Sequence, residues 1–186
     1  MIYPIYVYGM PVLRKRAKEI DEHYENLDQL ISDMYETMYA AEGVGLAAPQ
    51  IGLPVRLLVI DTSAFEEEDD PTLKDFKKVF INPEIIEEKG EEWITSEGCL
   101  SIPTIREDVS RKPIVRIQYY NEHFKFFDEK YDGLRARVIQ HEMDHLNGVM
   151  FTDRISPLRK RLLKPKLKGI SRGEVDIKYK IIHPKL

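Results

Sequence analysis

The sequence holds one cysteine, Cys99, in 186 residues. A single thiol forms no internal disulfide, which excludes a small secreted scaffold stapled by bridges. Glycine and proline number 10 and 11 and follow no period, so collagen-like and low-complexity classes fall away. There is no Asn-x-Ser/Thr sequon. Long apolar runs are missing too. Met1 to Leu13 is uncharged, but Pro4, Gly9 and Pro11 interrupt it, and it is too short to span a bilayer. The first basic residue is Arg14, so no charged segment precedes an apolar one and no export leader or membrane association is expected. The expected location is the cytoplasm, where a lone thiol stays reduced. What is present, 42% hydrophobic and 32% charged residues, suits a folded domain. A chain of this length buries roughly 70% of its unfolded surface without staples.

Acid is absent from one stretch. Arg154 to Arg172 contains eight basic residues and no carboxylate. It carries +8 within a chain of net charge −4, so the remainder carries −12. The charge therefore sets an acidic body apart from a basic C-terminal stretch. Such a tail suits a ribosomal or other nucleic-acid surface, and equally a solvated terminus; nothing points to a specific DNA site.

Leu27, Leu30, Ile31, Met34, Met38 and Ala41 recur at helical spacing and predict a helix over about 28–41, with Asn26 or Asp28 as its cap. Val55 to Ile60 predicts a buried strand. Glu66 to Asp70 is purely acidic and predicts a solvated loop. Short strands are expected over 79–82, 85–88 and 93–95, with Trp93 in the core. Residues 114–120 and 123–131 suggest a hairpin around Asn121. A second helix is expected from Asp132 to Asn147 and a short third one from Ser156-Pro157, with Ser as cap and Pro in the first turn. The order predicts an α+β fold with largely antiparallel sheets.

The sharpest signal lies in the second helix, at His141-Glu142-Met143-Asp144-His145. Positions i and i+4 share a helix face, so both imidazoles reach one metal ion while Glu142 lies beside it. A third ligand is needed. Position 151, where some such sites place a histidine, is Phe151. Glu174 is the only later glutamate, in a poorly helical stretch. Cys99, in Glu97-Gly98-Cys99-Leu100-Ser101, is the other candidate, with Gly98 suggesting close backbone approach. A Cys/His/His set leaves one tetrahedral position open, as catalytic sites do, and suits Fe(II), Zn(II), Ni(II) or Co(II). With Glu174 as ligand, the chemistry would instead be that of a zinc metalloprotease. A non-catalytic, metal-stapled RNA-binding protein is a further alternative. Gly43-Val44-Gly45-Leu46-Ala47-Ala48-Pro49-Gln50 contains G-x-G-x-x-A, but it follows a helix and runs into Pro49, which argues against a dinucleotide site. It reads as a loop of small residues that lets a substrate backbone approach.

Together these clusters resemble the peptide deformylase family: GVGLAAPQ at 43–50, EGCLS at 97–101 and QHEMDHLNG at 140–148 match its three motifs in order. The resemblance covers roughly residues 2–157 and implies a catalytic body over 1–157, with 158–186 as a basic C-terminal extension of the same domain. It implies antiparallel sheets packed around a central helix carrying HExxH, with an N-terminal helix and a variable C-terminal extension. It implies removal of the formyl group from N-formylmethionyl nascent peptides. One divalent metal, usually Fe(II), with Zn, Ni or Co in stable preparations, would be held by Cys99, His141 and His145. Glu142 would act as general base and then acid, with the Gln50 amide and the Leu100 N–H stabilising the oxyanion. Val44, Leu134 and Val138 match pocket positions for the methionine side chain, with Gly43, Gly45 and Arg106 nearby. The family's C-terminus can dock on the ribosome. Glu97 is expected to be structural, with Arg111 as its ionic partner.

Overall fold

A computed structural model of the chain describes residues 1–65 and 70–185. Nine strands and three α-helices are found among them. In chain order these are β1 (Ile5–Tyr6), α1 (Leu27–Ala40), β2 (Gly45–Ala47), β3 (Leu57–Asp61), β4 (Lys77–Lys89), β5 (Trp93–Cys99), β6 (Ile102–Arg111), β7 (Ile114–Tyr120), β8 (Phe126–Asp132), α2 (Gly133–Leu146), α3 (Pro157–Ile170) and β9 (Ile181–Ile182).

The fold is α+β. A five-stranded antiparallel sheet runs in the order β2-β3-β4-β7-β8, and β5 pairs with β6 in a separate antiparallel ribbon. The pairing is largely antiparallel, as expected, with β1 and β9 joined in parallel and an isolated parallel bridge between Lys18 and Val55.

The apolar run in β3 is explained by its two covered faces. Leu58 and Ile60 pack with Ala136, Ile139, Met143 and Leu146 of α2. Leu57 and Val59 pack with Leu30, Ile31, Met34 and Met38 of α1 on the opposite face. A strand buried on both sides loses the alternation of a half-solvated one. The expected amphipathic face of α1 thus meets the sheet, and Asn26 stands at its N-cap as expected, but left-handed at φ 55° and with no side-chain capping bond.

Three expectations are corrected by length. The two short strands over 79–88 are one strand, β4, bent by register shifts near Ile81–Glu84 and Ile85–Glu87. The short helix after Ser156 runs fourteen residues through Pro165, with Ser156 accepting from the Arg159 N–H at 3.3 Å. The loop of small residues contains β2, followed by a 3₁₀ turn over Ala48–Ile51. Of the acidic run 66–70, residues 66–69 lie outside the described residues; Asp70 accepts from the Thr72 N–H at 3.0 Å at the head of a 3₁₀ turn.

The strand β6 has no counterpart among the sequence expectations. Its inward face mixes Ile105 and Val109 with Glu107 and Arg111, so hydropathy shows no alternation although burial does. A third apolar cluster joins Ile102, Ile105 and Val109 to Leu163, Leu167 and Ile170, seating α3 on β6. Arg159 clamps the pair, donating to both oxygens of Glu107 at 3.0 and 2.6 Å. No helix among the described residues is long and apolar enough to cross a membrane.

Candidate metal centre and substrate cleft

The helix α2 lies between the five-stranded sheet and the β5–β6 ribbon. Its apolar face meets the sheet, and its polar face is covered, so Arg137, Gln140, His141, Glu142, Asp144 and His145 are all buried. Burying charges this way is costly unless each is paired. Glu97 of β5 provides the pairing. It accepts from Arg111 Nε and Nη2 at 2.6 and 3.0 Å, from Arg137 Nη1 at 3.0 Å, and lies 3.0 Å from His141 Nδ1. The expected Glu97–Arg111 pair is therefore present. Arg111 also donates to Asp144 at 2.9 Å, which Arg154 closes with bonds of 2.6 and 2.5 Å. Burial opposes the charged form of Glu97, yet the Arg111 and His141 hydrogen bonds hold its carboxyl far below the usual range. Trp93 is half-buried and does not join the apolar core. Its ring lies under the Arg137 guanidinium at 4.6 Å.

This network aims the candidate ligands. One ligand atom from each of Cys99, His141 and His145 lies within 4.8 Å of the others, and Cys99 Sγ is 3.2 Å from His145 Nε2. His141 Nδ1 is engaged by Glu97, which leaves Nε2 for a metal; a carboxylate behind a ligating imidazole is the usual orienting device. Burial is the first cause lowering His145, keeping it neutral and able to donate a lone pair. Burial also opposes protonation of His141, but its hydrogen bonds to Cys99 and Glu97 outweigh that and raise it. A thiol and two imidazoles converging at this range fit a tetrahedral ion with one position free. Glu174 is exposed in the turn after α3, close to Gly169, and takes no part in the cluster.

Glu142 sits beside the three. It is buried, its Oε2 has no hydrogen-bond partner among the described residues, and burial pushes it up to about 7. Its space is made by Gly45: a Cβ there would come within 2.5 Å of Glu142 Oε1. Gly98 is less demanding, since a Cβ would meet only the Arg106 guanidinium, at 2.8 Å. Gln50 is aimed by its own backbone neighbour. The Ala47 N–H donates to Gln50 Oε1 at 2.9 Å, and Gln50 Nε2 points to Ser101 Oγ at 3.2 Å and Cys99 Sγ at 3.6 Å.

A cleft of about 700 Å³ opens over these groups. Gly43, Val44, Gly45, Gln50, Cys99, Leu100, Arg106, Leu134, Val138, His141 and Glu142 line it. Every sequence-predicted site residue is thus at the cleft or, for His145, at the cluster beneath it. Arg106 is exposed at the rim and donates to the Ser96 carbonyl at 2.9 Å.

A family model described as polypeptide deformylase matches residues 2–161. This chain belongs to that family. It is 54% identical over 190 residues to the peptide deformylase of Christiangramia forsetii, covering 99% of this chain and 97% of that one. It is 55% identical over 187 residues to that of Flavobacterium johnsoniae, covering 97% and 95%. The solved peptide deformylase of Legionella pneumophila superposes with a TM-score of 0.81 at 40% identity, over 94% of this chain and 98% of that one. Against this deformylase framework, the dinucleotide reading fails: Gly45 lies on a strand that follows α1, not on a turn that opens a helix.

Sequence reasoning missed several cleft residues. Pro103, Thr104 and Ile105 bulge into it, because β5–β6 pairing jumps from Gly98↔Arg106 to Cys99↔Ile102. Thr104 there takes φ 66°, a strained value for a β-branched residue. Ile177 and Tyr179 reach the cleft from the C-terminal segment. Their signal was legible: Val175, Ile177, Tyr179 and Ile181 alternate with Asp176, Lys178 and Lys180. Phe65 carries no sequence signal that would have placed it there.

Proposed function

We propose that this chain hydrolyses the formyl group from N-formylmethionyl nascent peptides, releasing formate, with Cys99, His141 and His145 holding one divalent metal and Glu142 moving the proton. The observation that carries the reading is the convergence of that ligand set and a buried, unpartnered carboxylate on one cleft. Fe(II) is the proposed native metal, with Zn(II), Ni(II) or Co(II) as substitutes; one thiolate and two imidazoles suit all four. Bound there, the ion supplies Lewis acidity, polarising a carbonyl and making water more acidic.

The chain's residues do the rest. Glu97 fixes the His141 ring through Nδ1. Glu142 Oε2, with no partner among the described residues, takes a proton from the attacking water and returns it to the leaving amine nitrogen. Gln50 Nε2 and the Leu100 N–H donate to the formyl oxygen as negative charge builds on it. The substrate backbone adds as a strand along β2, whose outer edge has no strand partner among the described residues, opposite the segment after Leu100. Val44, Leu134 and Val138 take the methionine side chain, with Gly43 and Gly45 giving the backbone room and Arg106 at the rim. HExxH lies on the helix around which the sheet and the ribbon are packed.

The place of action is the cytoplasm, where formylated chains emerge. Residues 1–157 form the catalytic part and 158–186 the basic extension. Ribosome docking through that extension is supported by Leu158 and Leu162, exposed among Arg159, Lys160 and Arg161 on α3. The decisive experiment measures formate release from N-formyl-Met-Ala-Ser by protein prepared without oxygen and loaded with Fe(II) or Ni(II). Rapid metal-dependent release is expected. No release with metal bound overturns the reading.

A further inference from the structure

The C-terminal segment does more than end the chain. After α3, Gly173 turns the backbone at φ 75°, and residues 174–182 run back across the molecule. The segment is fastened at its far end by β9, where the Ile5 N–H donates to the Lys180 carbonyl at 2.9 Å and the Val7 N–H to the Ile182 carbonyl at 3.0 Å. The strand it joins is itself tied to the cysteine motif, because the Tyr8 N–H donates to the Ser101 carbonyl at 2.8 Å. Between these anchors the side chains alternate. Val175, Ile177, Tyr179 and Ile181 are half-buried; Asp176, Lys178 and Lys180 are exposed. Two of the inward ones, Ile177 and Tyr179, line the cleft. Tyr179 goes further: its hydroxyl donates to the Leu100 carbonyl at 2.9 Å.

That contact falls at a sensitive place. Leu100 follows Cys99 directly and stands in the turn that joins β5 to β6, where no backbone N–H among the described residues bonds its carbonyl. The Tyr179 bond fixes the peptide plane between Leu100 and Ser101; the plane that carries the Leu100 N–H is its immediate neighbour, joined to it through the two backbone dihedrals of Leu100. On the deformylase reading, on which this inference rests, the N–H of the same residue faces the reacting oxygen. A donor gains its effect from being held in place before the charge develops, and small misplacements are costly.

We propose that residues 175–181 are a working wall of the substrate groove: Tyr179 is a positioning residue that holds the Leu100 backbone in its donating orientation, and Ile177 makes apolar contact with substrate residues beyond the methionine. The basic extension is then part of the enzyme's specificity as well as its charge.

The test compares Tyr179→Phe and Ile177→Ala with the parent in the full, metal-loaded chain. Substrates are N-formyl-Met amide and N-formyl-Met-Ala-Ser. Removing one hydroxyl should lower kcat about five- to tenfold on both substrates with KM little changed, as loss of one neutral hydrogen bond acting in the transition state would. Ile177→Ala should raise KM for the tripeptide by about threefold or more and leave the amide little changed, matching loss of about one methylene's worth of apolar contact from a half-buried side chain. A second readout needs no turnover. In 15N-labelled protein, Tyr179→Phe should shift the Leu100 amide resonance, and Ile177→Ala should weaken its response to added Met-Ala-Ser. Parent-like kinetics and an unmoved Leu100 resonance in both variants overturn the proposal. So does loss of activity that only follows loss of folded protein in melting curves. Should the parent release no formate, the deformylase reading fails by itself, and the resonance experiment alone decides whether the segment forms the groove wall.

Discussion

The helices α2 and α3 are each fourteen residues long, and both are rich in charge, yet they use it in opposite ways. In α2 every residue from Ala136 to Leu146 is buried, and most of its charged side chains are paired: Arg137 and His141 to Glu97, Asp144 to Arg111 and Arg154. In α3 only Leu163, Leu167 and Ile170 are buried, and Leu158 and Leu162 stand 66% and 60% exposed among cations. Charge in solvent is cheap and nearly neutral for stability. Charge under a β-ribbon must be paired, and once paired it fixes side chains to a narrow geometry. The comparison separates a helix that builds a site from one that presents a surface.

The largest effect should come from the one α2 carboxylate left unpaired. Glu142→Ala is expected to lower turnover by about 10²–10⁴-fold, the usual weight of a positioned acid–base group. Bound metal, counted by elemental analysis, should stay at the parent level. Metal lost along with activity would make Glu142 a ligand instead.

Next comes the network. Arg111→Met leaves Glu97 and Asp144 short of a partner and should cost about 3–5 kcal/mol in chemical denaturation. Arg159→Ala on α3, which also breaks a two-bond carboxylate pair, should leave the unfolding midpoint near the parent's, because that guanidinium is half in solvent. Equal losses from the two variants would dissolve the contrast.

Acid should act on the buried side of the same comparison. The folded pKa values of the buried Glu97 and Asp61 are depressed. The stability they contribute is fully present above their unfolded values, 4.5 for glutamate and 3.8 for aspartate, and is lost as pH falls through the folded ones. The contribution of these carboxylates to the melting temperature should therefore fall progressively below about pH 4.5. In Arg111→Met the fall should be shallower, because Glu97 is then less depressed. A flat profile down to pH 3 would contradict the ion-pair account.

The smallest effect on the fold is expected from Leu158→Ser with Leu162→Ser. Stability should change by no more than about 0.5 kcal/mol per site, and formate release from a short peptide should match the parent. Co-sedimentation with ribosomes should weaken. Undiminished co-sedimentation would remove the exposed leucines from docking.

Local pattern alone set a good deal of this. The spacing of Leu27 to Met38 placed α1, the run Val55–Ile60 placed β3, and Asn121 between two β-rich runs placed the β7–β8 hairpin. The i, i+4 histidines put two ligands on one helix face, since helical geometry is fixed by the backbone. The motifs around Gly45, Cys99 and His141 pointed to a single family. Hydropathy failed where burial and polarity part company. It gave no sign of β6, whose inward face includes Glu107 and Arg111, and it placed Trp93 in an apolar core when the ring actually supports a guanidinium. Third-ligand choice also lay beyond local pattern. It is the ribbon that brings Cys99 to 3.2 Å from His145, while Glu174 lies exposed after α3. The closeness of Gly45 to Glu142, the collection of three cations and an imidazole-bearing helix around Glu97 and Asp144, and the return of Tyr179 to Leu100 join residues far apart in the chain. Sequence encodes such contacts only through the packed fold, because what a side chain touches across the core depends on every element that brings the two together.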